Sequence, residues 1–156
     1  MDLKQNLEAL ASQYKEVAEQ AAQAMTLKTK LEGAIEYTQG LIAEEEKVCP
    51  YIDMPLQHIS DRMLRRMRRE KSGEGIRRLL DRIRIALPGV VLRSSFIVGF
   101  PGEQEEDFQQ LCDFVTEAGI DNVGVFRYSQ EEGTTAGSMS DQVSEEVKED
   151  RWHRLM

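Results

Sequence analysis

Apolar residues recur along the first third of the chain at Leu3, Leu7, Leu10, Tyr14, Val17, Ala21, Ala24, Lys28, Leu31, Ile35, Thr38 and Ile42. The steps alternate between four and three residues, and ten of these twelve positions are apolar. That spacing predicts a long helix over residues 1–47 with a coiled-coil-like seam. No proline interrupts it, although Gly33 and Gly40 each weaken a helix by about 1 kcal/mol relative to alanine. A hairpin broken near residues 25–30, where Thr26 can cap a fresh start, is the alternative. A single amphipathic helix of this length cannot bury its own stripe, so it needs a second copy, itself after a turn, or the domain behind it. Self-association is the expectation.

From Val48 the texture changes to short β-branched or apolar runs alternating with charged helical segments, the pattern of β/α units with parallel strands. Strands are expected near 50–56, 90–98 and 122–128. A short helix should start at Ser60 or Asp61, and a longer one should run from about Gly75 to Ala86 before Pro88-Gly89. A third should span about Gln104 to Glu117, stopped at Gly119, and a last one should begin near Ser144 after a turn-rich loop. The reading is therefore an α/β chain of two parts: a helical segment, 1–47, and an α/β domain, 48–156.

Composition narrows the class. The chain has 156 residues and a formal charge of −8, with 31% charged residues, and no apolar run approaches the roughly eighteen residues of a membrane span. The start, MDLKQNLEAL, lacks a signal peptide's basic opening and apolar centre, so a cytoplasmic protein without a membrane partner is expected. Charge is divided unevenly. Residues 61–84 hold ten Lys/Arg against four Asp/Glu, while 103–150 hold two against fourteen. Solvated helix faces that attract each other explain this more simply than a nucleic-acid surface, since few aromatics accompany the arginines.

Candidate chemistry gathers where strands end. SSFIVGFPGEQEEDF places an apolar strand before a Gly-Phe-Pro-Gly turn and an acidic helix start, and ligands of parallel α/β sheets bind at such carboxyl edges. Gly99 and Gly102 allow a close backbone approach, while the acidity of Glu103, Glu105, Glu106 and Asp107 argues against phosphate there. An ordinary capped βα turn explains the same residues equally well. His58, near Asp53 and Asp61, invites a metal or general-base reading. However, Asp53 should face the opposite side from Met54 and Asp61 should cap a helix, so no metal site is assigned. Gln57 and His58 remain polar contacts for a ligand pocket. His153 reads as a packing or surface residue. Cys49 and Cys112, 63 residues apart, read as buried thiols, and no triad, P-loop or paired-carboxylate site is present, so no catalytic residue is named.

Taken together, CPYIDMPLQHISDRMLRRMRR, LRSSFIVGFPGEQEEDF, VGVFRYSQEEGTTAG and DQVSEEVKEDRWHRLM resemble the second half of the radical S-adenosylmethionine methylthiotransferases. The best match is the RimO type, which modifies an aspartate of a small-subunit ribosomal protein. The resemblance covers about residues 48–156 and implies a partial (β/α) barrel of about three units. It implies S-adenosylmethionine and a [4Fe-4S] cluster as cofactors and a ribosomal protein as substrate. On the cofactor side it implies Gln57, Arg93, Ser95, Ile97 and Gly99, with Arg93 near the amino-acid end. Family enzymes hold the cluster with C-x3-C-x2-C, absent here, so the chain is expected to bind no cluster and to be inactive alone. Thr135, Ser144 and Gln104 are local departures from the family pattern. Residues 1–47 match no recognised part of that family, which suggests a fusion. A homo-oligomer or a separate barrel half is the expected partner, and a non-catalytic oligomerising scaffold is the alternative function.

Overall fold

The computed structural model describes residues 3–44, 47–69 and 71–156. It divides into two compact units, Met1–Val48 and Cys49–Met156. The first contains helix α1, Leu3–Glu44, which continues through Gly33 and Gly40 and has no hairpin near 25–30. The anticipated coiled-coil seam is not seen. Of its positions with described side chains, Tyr14 is 78% and Val17 63% exposed and Ala21 is exposed, while Ile35, Thr38 and Ile42 are half-buried. The positions from Leu3 to Leu10, with Ala24, Lys28 and Leu31, have side chains outside the described residues.

The second unit alternates strands and helices: β1 (Tyr51–Asp53), α2 (Asp61–Arg66), α3 (Gly73–Ala86), β2 (Val91–Val98), α4 (Glu105–Glu117), β3 (Asn122–Arg127) and α5 (Glu145–Leu155). The three strands form one parallel sheet in the order β1-β2-β3. Tyr51 is in register with Val91, and Arg93 with Asn122. Expected strand 50–56 shortens to three residues: the Met54 amide still bonds the Arg93 carbonyl (2.9 Å), but the Leu56 amide, next in line to face β2, leaves the ladder for a side chain. The chain rejoins β2 at an isolated bridge between Gln57 and Phe96. Across the gap, Ser94 Oγ donates to the Met54 carbonyl (2.9 Å) and accepts from the Leu56 amide (3.3 Å).

Alternation along β2 sorts its two faces. Leu92, Ser94, Phe96 and Val98 are buried, whereas Val91, Arg93, Ser95 and Ile97 are only partly covered. The buried face packs on the helices: Phe96 meets Phe114 edge-on with centroids 6.2 Å apart, and Met63, Leu64, Ile76, Phe108 and Leu111 are at most 2% exposed. Each such side chain contributes about 1.5–3 kcal/mol on removal from water. The opposite face is open, with Tyr51 47% and Phe126 54% exposed. Among the described residues no strand pairs with the outer edge of β1 or β3.

Caps follow local chemistry. Ser72, three residues earlier than the expected start of α3, accepts the Gly75 amide (3.1 Å), and Ser144 accepts that of Val147 (3.4 Å). Asp61 does not cap α2; Ser60 is the N-cap, and Asp61 Oδ1 accepts the Gly73 amide at 2.6 Å. Part of the arginine-rich stretch is committed to the acidic one, through Arg62–Asp107, Arg66–Asp141 and Arg77–Glu117. Among the described residues, no helix is long and apolar enough to cross a membrane.

Candidate ligand site at the strand ends

The two motif segments at the carboxyl ends of β1 and β2 are bolted together by buried polar groups. His58 is fully buried, and its Nδ1 accepts the amides of Ile59 (2.9 Å) and Ser60 (3.0 Å). The ring proton is thereby fixed on Nε2, which donates to Glu103 Oε1 at 3.0 Å. Glu103 Oε2 accepts the Gly99 amide and an Arg151 Nη1–H, each at 2.7 Å. Every oxygen of this buried carboxylate is matched by a donor, as a charge in a dry interior requires. His58 thus positions a turn and is not free to serve as base or metal ligand. Among the described residues no group of three or more His, Cys, Asp or Glu is placed to hold a metal ion.

Asp107, one turn into α4, ties the same turn to α2. It accepts Ser60 Oγ–H at 2.6 Å, the Gln104 amide at 3.0 Å and the Arg62 guanidinium. Burial alone would push this carboxyl up; the Arg62, Ser60 and Gln104 hydrogen bonds more than reverse that and hold it at about 2. Gly99 has φ +73°, and a Cβ there would lie 2.2 Å from Lys148 Cγ on α5. Its glycine requirement is met by close packing against that lysine, and its amide is spent on Glu103. Gly102, at φ +78°, is likewise crowded by Asp141 and Arg66.

On the open face, register aligns Arg93, Ser95 and Ile97 with Asn122, Gly124 and Phe126. Arg93 Nη1 donates to Asp53 Oδ2 at 2.5 Å. A Cβ on Gly124 would lie in ordinary contact with Phe126 Cε2 (3.4 Å) and Ser95 Oγ (3.5 Å), so this position packs between the two. Gln57 and Ile97 border a cavity of about 360 Å³ together with Arg66, Arg68, Arg69 and Met139. The structure therefore brings Gln57 and Ile97 to one cavity and Arg93 and Ser95 to the adjoining face, while the amide and α-carbon of Gly99 face inward. Asp53, weighed in the sequence only as a metal ligand and set aside, shares the open face with Arg93, and the arginines after α2 were not read as site residues.

The [4Fe-4S] group does not fit the residues present. The chain has two cysteines, and three thiolates are the expected ligand set. Cys49 is exposed, contrary to the buried thiol expected, and Cys112 is half-buried, its thiol pushed up chiefly by burial. S-adenosylmethionine fits better in its donor requirements. The Arg93–Asp53 pair complements an amino-acid zwitterion, Ser95 and Gln57 offer neutral hydrogen bonds, and Ile97 and Phe126 offer apolar surface.

A parallel β/α sheet with its polar open face at the strand ends is a radical SAM architecture, and the family model "Radical SAM superfamily" matches residues 14–115. The chain belongs to that superfamily. Its fold is similar to that of coproporphyrinogen III oxidase from Escherichia coli, a radical SAM enzyme, with a TM-score of 0.61 and 24% identity over 76% of this chain and 27% of the other. In sequence it is similar to the ribosomal protein uS12 methylthiotransferase RimO of Opitutus terrae, 57% identical over 115 residues, 74% of this chain and 24% of the relative. RimO of Heliobacterium modesticaldum is 56% identical over 74% of the chain and 25% of its own length. RimO of Geobacter sulfurreducens is 55% identical over 76% and 27%. The chain spans about a quarter of the length of these relatives. The family match begins inside α1, which corrects the expectation that residues 1–47 are wholly unrelated.

Proposed function

We propose that this chain supplies the cofactor-facing second half of a methylthiotransferase barrel of the RimO kind, acting on an aspartate of a cytoplasmic ribosomal protein. The carrying observation is the shared open face of Arg93, Ser95 and Ile97 with Gln57 beside it, in a sequence 57% identical to a uS12 methylthiotransferase. S-adenosylmethionine, when bound, supplies the radical chemistry. On this reading Arg93 and Asp53 hold its amino-acid end, Ser95 and Gln57 orient the nucleoside, and Ile97 with Phe126 excludes water. Gly99 contributes by fixing the strand end through Glu103.

The cluster thiolates belong to barrel strands outside this sequence, and the open edges of β1 and β3 suit pairing with such strands. Homo-oligomerisation through those edges is the other way to cover them. The test is anaerobic reconstitution with iron and sulfide, followed by dithionite and assay of 5′-deoxyadenosine. The chain alone should hold no stoichiometric cluster and form no deoxyadenosine. Mixed with a RimO half barrel carrying C-x3-C-x2-C, it should restore deoxyadenosine formation, and Arg93→Gln should lower that yield. Deoxyadenosine from the chain alone, or a mixture indifferent to Arg93→Gln, would refute the reading.

A further inference from the structure

The cavity beside Gln57 is walled by Arg66, Arg68 and Arg69, and among the described residues no acidic one lines it. Its volume, about 360 Å³, falls within the range of small-ligand sites, roughly 300–1,000 Å³. Among the described residues, the only non-glycine positions with left-handed backbone are Gln57 (φ 73°) and Arg68 (φ 55°), and both border it. Such conformations cost on the order of 1 kcal/mol each and cluster at functional sites.

The arginines are not equally available. Arg66 is closed off by Asp141 (2.6 and 2.8 Å) and the Pro101 carbonyl (3.0 Å). Arg69 gives one Nη2–H to the Pro55 carbonyl (2.7 Å) and keeps its remaining edge. The Arg68 guanidinium makes no hydrogen bond or ion pair among the described residues; the residue's backbone amide bonds the Arg65 carbonyl (3.0 Å). One free guanidinium fork and part of another are enough to hold a single carboxylate bidentately. Met67, Met139 and Phe100 supply adaptable apolar walls of the kind that accommodate peptide side chains.

We propose that this cavity takes the carboxylate of an acidic side chain on a peptide, with Arg68 and Arg69 as specificity-determining residues. This deepens the reading above by assigning residues to the substrate; only the placement of that substrate beside S-adenosylmethionine rests on it.

The test is NMR of the full chain with ¹³C-methyl-labelled methionine, titrated with the capped peptides Gly-Leu-Asp-Leu-Gly and Gly-Leu-Asn-Leu-Gly, inorganic phosphate and S-adenosylmethionine. The Met67 and Met139 methyl signals should shift saturably with the Asp peptide and need at least tenfold more Asn peptide. Arg68→Gln and Arg69→Gln should each weaken the Asp peptide at least tenfold, while Arg65→Gln, on α2 and outside the lining, should not. Equal response to the two peptides, tighter saturation by phosphate, or indifference to both variants would overturn the proposal. Displacement of the peptide by S-adenosylmethionine with the same methyl shifts would also overturn it, leaving the cofactor reading intact. Selective peptide binding without any S-adenosylmethionine binding would support the cavity assignment and sink the cofactor reading.

Discussion

Replacing Glu103 with glutamine changes one atom and leaves no arrangement of the buried cluster satisfied. Both Glu103 oxygens face donors: His58 Nε2–H on one side, and the Gly99 amide with Arg151 on the other. A glutamine has one acceptor and one donor end, so either orientation sets its NH2 against an N–H. The imidazole cannot relieve the conflict by moving its proton, because Nδ1 already accepts two amides. Arg151, 5% exposed, keeps the Glu103 carbonyl at 3.1 Å and a 3.5 Å approach to Glu105. Breaking a buried pair costs roughly 3–5 kcal/mol and an orphaned buried donor about 1–3; with Arg151 partly held, about 3 kcal/mol is expected. For a unit of this size that lowers Tm by about 12 °C or more. Urea unfolding followed by fluorescence of Trp152, whose indole donates to the Val125 carbonyl at 3.0 Å, measures the change. A loss below about 1 kcal/mol would show that the cluster is hydrated or rearranges, and would refute its role as the bolt between the two motifs.

Three further outcomes follow from neighbouring residues. Asp107, held at about 2 in the fold against an ordinary 3.8, stabilises the fold above pH 4 by about 2 kcal/mol. That contribution disappears as pH falls from about 4 through 2, and acid titration of Asp107→Asn should lack this component; parallel curves for the two proteins would contradict it. Gly99→Ala should cost about 2–3 kcal/mol, since the methyl meets Lys148 Cγ at 2.2 Å on a left-handed backbone, and Lys148→Gly in the same chain should recover part of it in thermal melts. Arg68→Asn should gain about 0.5 kcal/mol, because asparagine tolerates left-handed φ, while weakening peptide binding; a loss of stability would mean that Arg68 has a structural partner.

The order of α2 to α5 and several of their ends were legible in the sequence, from Ser60 and Ser144 at two starts and from Pro88-Gly89 and Gly119 as stops, and β2 from its run of apolar residues, whereas α3 begins at Gly73, before the expected Gly75. Where local chemistry competes, legibility failed. β1 stops at three residues where the Leu56 amide leaves the ladder for the Ser94 hydroxyl, which no strand pattern signals. His58 and Glu103 lie 45 residues apart, so each motif could be seen but not their bond. Gly99 was read as an opening for a ligand, whereas the partner that demands glycine is Lys148, on a helix formed almost fifty residues later. Arg68 was unreadable as a site residue because arginine is not expected at positive φ. The spacing along α1 correctly indicated helix, yet a heptad pattern states only that a stripe exists; Tyr14 and Val17 stand exposed, and the family match reaches into this helix from residue 14.

On the proposed function, the open sheet face is the S-adenosylmethionine side. Equilibrium dialysis of radiolabelled S-adenosylmethionine against the chain should therefore show one saturable site. Arg93→Gln and Ser95→Leu should weaken it at least tenfold without lowering Tm, and His153→Ala, on the exposed side of α5, should leave it unchanged. Absence of saturable binding by the folded chain, or binding that survives both open-face substitutions, would contradict the account.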